Sequence, residues 1–338
     1  MSPDQVRREI DRLAHRGMDV GEFSLAAAHA LRRAVPFDGV CVVTLDPATH
    51  LPTGHTMENA LPDAVMPRYT EIEVVEEDFN KFAALARAPL PAATLSAATD
   101  GRLDRSLRHR ELRRPNGYGG DELRAAWGEW GGIVMMRETG RTDFTPADVN
   151  LLAALSTHLA EGLRRALLFG ALSDASADAA PGLILFAPDD SFEVANAAAE
   201  AWLDEFDDDV PVAIRAIAQH ARSGGAGPST ARLRTPSGQW VVARGSMIGD
   251  RAAVILDTPR AAELAPMIAE AYGLTERERA VTQLVAQGLS TKEIGARLFV
   301  SPYTVQDHLK SVFEKTGVGS RRELVARLYL DHYANGFH

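Results

Sequence analysis

The chain has 338 residues, 46% hydrophobic and 24% charged, with a formal net charge of -10, which allows two or three ordinary globular domains. Its one cysteine, Cys41, excludes an internal disulfide and fits a reducing compartment. No apolar run approaches the roughly 20 residues that span a bilayer, and the charged start MSPDQVRREIDRLAHRG lacks the apolar centre of a secretory signal, so a cytoplasmic location is expected.

In chain order, VRREIDRLAHRG and the stretch Phe23 to Val35 read as helices. FDGVCVVTLD (37–46) reads as a strand, with a second near Thr53–Met57. DELRAAW (121–127), a turn at 128–132 and IVMMRE (133–138) form a hairpin pattern. Thr145-Pro146 opens a long helix with apolar residues at Val149, Leu152, Leu155, Leu159 and Leu163. This stripe and that of the helix at 5–16 mark both as candidate dimer contacts. SDASADAA (173–180) reads as a spacer. LILF (183–186), a turn and SFEV (191–194) follow, then Asn196 before an alanine-rich helix to Leu203. The acidic run 204–210 and the glycine-rich ARSGGAGPST (221–230) read as solvated loops. ARLRT (231–235) and QWVVARGSM (239–247) form a hairpin across Pro-Ser-Gly, and RAAVILD (251–257) a last strand.

Helix punctuation is densest at the C-terminus. Thr275–Glu278, Ser290–Glu293 and Ser320–Glu323 share the capping-box form, and Ser301-Pro302 is a fourth start. Four starts in under 50 residues predict four short helices. From Leu274 to His338 nine Lys/Arg face seven Asp/Glu, a formal +2, which leaves -12 for the remainder. The terminal segment is thus the part that phosphate does not repel.

Two of these helices, over 289–317, have helix-turn-helix spacing, in which the second helix enters the major groove. Val305, Leu309 and Val312 would face inward and Tyr303, Gln306, Asp307 and Lys310 outward. Gln pairs with adenine, Asp accepts from cytosine, and Lys donates to guanine or phosphate. The helix starts at Thr291 and Ser301 present amides to phosphate. The plainer reading is a solvated face of a helical bundle. The stretch from LTERERAV to SRRELV resembles the LuxR-type helix-turn-helix of bacterial transcription regulators. Leu274-Thr275, Glu276–Glu278, Gly288–Ser290, Lys292–Ile294, Leu298, Val300-Ser301, Thr304-Val305, His308, Lys315, Gly317-Val318 and Ser320-Arg321 carry the likeness. The resemblance implies backbone contacts from Lys292, Ser301, Thr304 and His308 and base contacts from Gln306, Asp307 and Lys310, with Thr291, Tyr303 and Arg321 in the same surface. Gln306 stands where the family commonly has lysine. Gly295 replaces a usual alanine, which should loosen its helix by up to about 1 kcal/mol.

The first 170 residues resemble a GAF sensory domain of the divergent form found ahead of LuxR-type helices in actinobacterial regulators. The likeness lies in DELR (121–124), Trp130-Gly131 with Arg137, Phe144–Asp148 and LAEGLRRAL (159–167). Residues 181–257 resemble a PAS domain in their strand–turn–strand–Asn pattern. Such domains enclose a small ligand, dimerise, or both. Cys41, Met57, Phe79, Phe82, Trp127 and Met135 are candidate effector-pocket residues, each also readable as core; Cys41 in a strand reads as a buried hydrophobe rather than a redox sensor.

No phosphate-binding G-x-x-x-x-G-K-[ST] loop, receiver-type aspartate, acyl-homoserine-lactone pattern, zinc spacing or catalytic triad is present. No cofactor, metal or catalytic activity is therefore expected. The expected fold class is α+β sensory domains followed by an all-α four-helix unit: GAF-like 1–172, PAS-like 181–258, a linker 259–269 and the LuxR-type helix-turn-helix 270–334. The expected function is a cytoplasmic, sequence-specific DNA-binding transcription regulator. Its partners would be operator double-stranded DNA, a second copy in a homodimer and a small-molecule effector, with no membrane. The rival is a ligand-binding interaction protein whose helical C-terminus docks a protein.

Overall fold

The structure, a computed structural model, describes residues 3–169, 181–206, 210–224, 228–259, 263–264, 267 and 272–325. The spacer at 173–180, most of the linker at 259–269, the middle of the acidic run, the centre of the glycine-rich loop and residues 326–334 of the last unit lie outside the described residues.

Two helices open the chain, α1 (Pro3–Leu13) and α2 (Val20–Arg32). A reciprocal cap starts α2: the Glu22 amide donates to Asp19 Oδ1 at 2.8 Å and the Asp19 amide to Glu22 Oε2 at 3.3 Å. Two strands follow, β1 (Gly39–Leu45) and β2 (Pro52–Glu58), then α3 (Met66–Val74), the single turn α4 (Phe82–Leu85), β3 (Ala92–Thr94) and the single turn α5 (Leu95–Ala98). A π-helical segment at Arg108–Arg113 precedes β4 (Glu122–Ala126), β5 (Gly131–Met136) and the long α6 (Pro146–Phe169). The five strands form one antiparallel sheet in the order β2-β1-β5-β4-β3. The sheet is buried on both faces: α1, α2 and α6 cover one, and α3, α4 and the π-helical segment the other.

The stripes of α1 and α6 meet each other. Val6, Ile10 and Leu13 pack with Leu152, Leu155, Leu159 and Leu163, all buried within the chain. The apolar stripes that suggested a dimer contact are thus accounted for within the chain: hydrophobic spacing announces a buried face without saying what buries it.

The sequence stretches that carried the GAF likeness hold this unit together. Arg137 donates to the Pro36 carbonyl and lies 3.9 Å from the centre of the Phe144 ring. Thr145 and Asp148 cap α6 reciprocally. The DELR stretch enters a network sealed from water. Arg108, Arg113 and Arg124 are 0% exposed around Glu122 and Glu73. Burial pushes the Glu122 carboxyl up, but the guanidiniums of Arg108, Arg113 and Arg124 outweigh it and hold it at about 2. Asp121 accepts from the amide and hydroxyl of Ser96 and from the Phe144 amide.

The second α+β region has β6 (Gly182–Phe186), β7 (Phe192–Ala195), α7 (Ala197–Leu203), α8 (Val212–Ser223), β8 (Thr230–Arg234), β9 (Trp240–Ile248) and β10 (Arg251–Asp257). Its antiparallel sheet runs β7-β6-β10-β9-β8, with α7 and α8 on one face. Asn196 caps α7, its side chain accepting from the Ala199 amide at 2.9 Å. Residues 221–223, expected in a loop, are the last turn of α8, which stops at Gly224 in the left-handed conformation. The two regions touch along α8, which packs on α3 and β2. Arg232 clamps the buried Asp46 there, its Nη1 at 2.8 and 3.1 Å from the two carboxylate oxygens.

Among the described residues four helices form the C-terminal unit: α9 (Glu276–Ala286), α10 (Thr291–Leu298), α11 (Pro302–Thr316) and α12 (Arg321–Val325). Among the described residues no helix is long and apolar enough to cross a membrane.

Candidate nucleic-acid interface

The local sequence decides where each C-terminal helix begins. The Thr275 amide donates to Glu278 Oε2 at 2.7 Å and the Glu278 amide to Thr275 Oγ1 at 3.3 Å. Ser290 and Glu293 repeat the arrangement at 2.8 and 3.3 Å. Ser301 Oγ accepts from the Thr304 amide at 3.1 Å, with Pro302 at the first helical position. Gly317, at φ +69°, ends α11 in the left-handed conformation.

Leu274, Val281, Leu284, Val285, Ile294, Val305, Leu309, Val312 and Leu324 make the core of the four helices. One charged residue joins it. Glu278, 4% exposed, accepts from Ser311 Oγ and from Lys315 Nζ, both at 2.6 Å. Burial raises this carboxyl, but the Lys315 ammonium, the Ser311 hydroxyl and the Thr275 amide prevail and hold it at about 2. The pair fastens the start of α9 to the last turns of α11 and so fixes the angle at which α11 is presented.

The turn between α10 and α11 is tight. Phe299 ends α10 at φ +56°, and the Phe299 and Val300 amides both donate to the Gly295 carbonyl. A Cβ on Gly295 would lie 2.8 Å from the Val300 carbonyl oxygen. The expected loosening by this glycine is therefore offset: its missing side chain is what lets the turn close onto α10.

Because Val305, Leu309 and Val312 point inward, Tyr303, Gln306, Asp307 and Lys310 are exposed along the outer face of α11, with Tyr303 79% exposed. Thr304 and His308 flank this row, half-buried; Lys292 is exposed in the first turn of α10 and Ser301 at the cap of α11. Thr291 and Arg321 are placed differently from the rest. Arg321 Nη1 donates to the Leu289 carbonyl at 2.8 Å and its Nη2 to Thr291 Oγ1 at 2.5 Å. Both side chains are engaged with each other, which makes Arg321 a brace for the start of α10. Sequence reasoning missed Phe299, 95% exposed beside this face. Its signal was an aromatic residue just outside the apolar stripe of α10.

The six candidate effector residues do not share a cavity. Cys41 and Phe82 are in the core beneath α3 with Met57 against it, while Trp127 and Met135 are in the core beneath α1, α2 and α6. Met135 pairs with Val40 and Cys41 with Val134, so the alternation of the strands sends Cys41 and Met135 to opposite faces. Phe82 stacks under Arg124 at 4.0 Å, Phe79 under Arg105 at 5.2 Å, and Trp127 meets Phe23 edge-on. The voids beside Cys41 measure about 20 and 10 Å³, room for at most a water. The Cys41 thiol is pushed up to about 12, chiefly by burial, which keeps it protonated and unreactive.

Residues 272–328 match the family model of bacterial regulatory proteins, luxR family. Over 55 residues the chain is 44% identical to the spore germination protein GerE of Bacillus subtilis, a stretch that is 16% of this chain and 74% of GerE. It is 58% identical over 52 residues to an HTH-type transcriptional regulator of Mycobacterium bovis, 15% of this chain but only 6% of that protein's length. The solved structure of Escherichia coli SdiA overlaps 96% of this chain and 97% of its own at 13% identity, loosely, with a TM-score of 0.32.

Proposed function

The chain belongs to the luxR family of bacterial regulatory proteins, and from that premise we propose that it is a sequence-specific DNA-binding transcription regulator. In this reading the GAF-like unit (1–172) and the PAS-like unit (181–258) sense a small molecule and set the spacing of two copies of the helix-turn-helix unit (270–334). One observation carries the DNA reading. The second helix of the pair is held by a buried stripe and by the ion pair of its Lys315 with the buried Glu278, and it shows solvent the donors and acceptors of Gln306, Asp307 and Lys310.

Gln306, Asp307 and Lys310 would meet base edges, while Lys292, Ser301, Thr304 and His308 would meet phosphates. Tyr303 would border the groove, and Thr291 with Arg321 would hold the amide end of α10 toward the backbone. A single short helix makes few base contacts, and a two-fold pair doubles them. The dimer reading draws support from the outer face of the second sheet, where the neighbouring Leu183, Val194 and Ile255 are 36%, 50% and 40% exposed, an apolar area that a second copy would cover. An effector acts by binding one arrangement of the two copies better than the other.

The test is selection of operator fragments from genomic DNA by the full chain, followed by affinity measurement for Gln306→Ala and Lys310→Ala. Loss of operator affinity in both variants with an unchanged melting temperature is expected. Unchanged binding by both would overturn the assignment and favour the protein-docking alternative.

A further inference from the structure

We infer that the crevice between the two α+β units is a binding site for a small organic anion, a single carboxylate or phosphate on a flat apolar body, held by the Arg234 guanidinium and the Trp240 indole N–H. The inference supplies a site and a ligand chemistry for the sensing role proposed above, and it rests on that role only for its regulatory meaning.

The crevice has a volume of about 540 Å³, within the range that encloses small ligands. Its walls come from both units: Leu45 and Trp130 on one side, Val212 and Trp240 on the other. Two arginines of β8 reach it and are treated differently. Arg232 is neutralised by Asp46, which accepts from its Nη1 and from its backbone amide. Arg234, two residues on, has no carboxylate. Its Nε donates to the Gly238 carbonyl at 3.0 Å and its Nη1 to the Leu167 carbonyl at 2.6 Å, while its Nη2 is buried without an acceptor.

Burial alone lowers the affinity of Arg234 for its proton, to about 10, with no anion acting against it. A cation partly withdrawn from water and left without a counter-charge is costly, and an anion arriving from outside would offset that cost. Across the β8–β9 hairpin its register partner is Trp240. The guanidinium carbon lies 5.8 Å from the centre of that ring, and Trp240 Nε1 is also buried without an acceptor. Both residues line the crevice, and a turn of either side chain would bring a donor that has no acceptor within the chain toward the two oxygens of a carboxylate or phosphate, with a planar group stacked behind it. Arg234 already holds the last turns of α6 through Leu167. A ligand seated here would touch both units and favour one arrangement of them.

The experiment is isothermal titration of the full chain with 2-naphthoate, 2-naphthyl phosphate and the uncharged 2-naphthamide. At least one anion should bind about tenfold or more tighter than the amide, the effect of a hydrogen bond to a charged group. Which anion wins identifies the headgroup. Arg234→Gln should abolish the preference, and Trp240→Phe should weaken the anion while leaving the amide unchanged. Equal binding of anion and amide by the unmodified protein overturns the site, as does full preference in a folded Arg234→Gln protein. The wild-type comparison decides the matter if that variant does not fold. Anion binding through Arg234 without a change in operator affinity keeps the site and removes the sensing role. Operator affinity that responds to another effector, in a protein that binds neither anion, removes the site and keeps the sensing role.

Discussion

In the N-terminal unit three guanidiniums, Arg108, Arg113 and Arg124, sit wholly out of water around Glu122 and Glu73. In the C-terminal unit α11 keeps Gln306, Asp307 and Lys310 in solvent, and its exposed Lys315 reaches the buried Glu278 of α9. The first unit uses charge as scaffolding, where each ion is fixed by several partners and none is free to meet anything else. The second presents the charges of Asp307 and Lys310 to solvent along one helix face, the condition a groove-reading surface requires. The contrast shows why residue type alone does not reveal function. An arginine is a contact in one setting and a strut in another, and burial separates the two.

The largest effect should come from breaking the scaffold. Glu122→Gln removes the charge that three buried guanidiniums share, and losing one partner of a buried ion group costs about 3–5 kcal/mol. Urea unfolding should show that loss in the midpoint of the N-terminal transition, and a change under 1 kcal/mol would mean that water reaches the network. Acid tests the same point. Glu122 and Glu278 are both held at about 2, below the ordinary 4.5. Their stabilisation is therefore complete above about pH 5 and is lost as pH falls from 4.5 toward 2. Unfolding midpoints followed across that window should fall steeply, and a flat profile would remove both carboxylates from the account.

The exposed row should respond in the opposite sense, with little change in stability and a large change in binding. Lys310→Ala and Gln306→Ala are each expected to lower operator affinity by about 1–3 kcal/mol, with stability within about 0.5 kcal/mol of the parent. The Lys310 variant should also show a shallower salt dependence, read by fluorescence anisotropy at several salt concentrations.

The same contrast governs how much the sequence discloses. The C-terminal helices are legible because their boundaries are local. A Ser or Thr three residues before a Glu makes its cap with no help from the rest of the chain, and Thr275 and Ser290 both do so. The strands of the N-terminal unit are legible by composition, but the run from Ala60 to Gly120 is not. Its turns are fixed by partners far along the chain, such as Arg108 with Asp78 and Glu122, and Asn80 with Arg124. The α8 helix had a readable signal in Ala213, Ile214, Ile217 and Ala218, masked by the acidic run before it. The sequence did not disclose that the effector candidates divide between the two faces of one sheet. Met135 pairs with Val40 and Cys41 with Val134, so strand alternation separates Met135 from Cys41.

The smallest predicted effect probes Phe299, where stability and function pull apart. It sits in the left-handed region at φ +56° and is 95% exposed, so its ring buries almost nothing and its Cβ is strained. Phe299→Gly should relieve that strain and stabilise the C-terminal unit by about 0.5–1 kcal/mol, seen as a rise in its thermal midpoint. A phenylalanine kept in such a place by its own fold alone would have no reason to be aromatic. Adjacent to the turn that leads into α11, it is positioned to lie against sugar or a thymine methyl when that helix docks. The same variant should therefore bind operator more weakly while melting higher. Equal operator affinity in the two proteins would confine Phe299 to the turn and restrict the reading surface to α11 and the caps beside it.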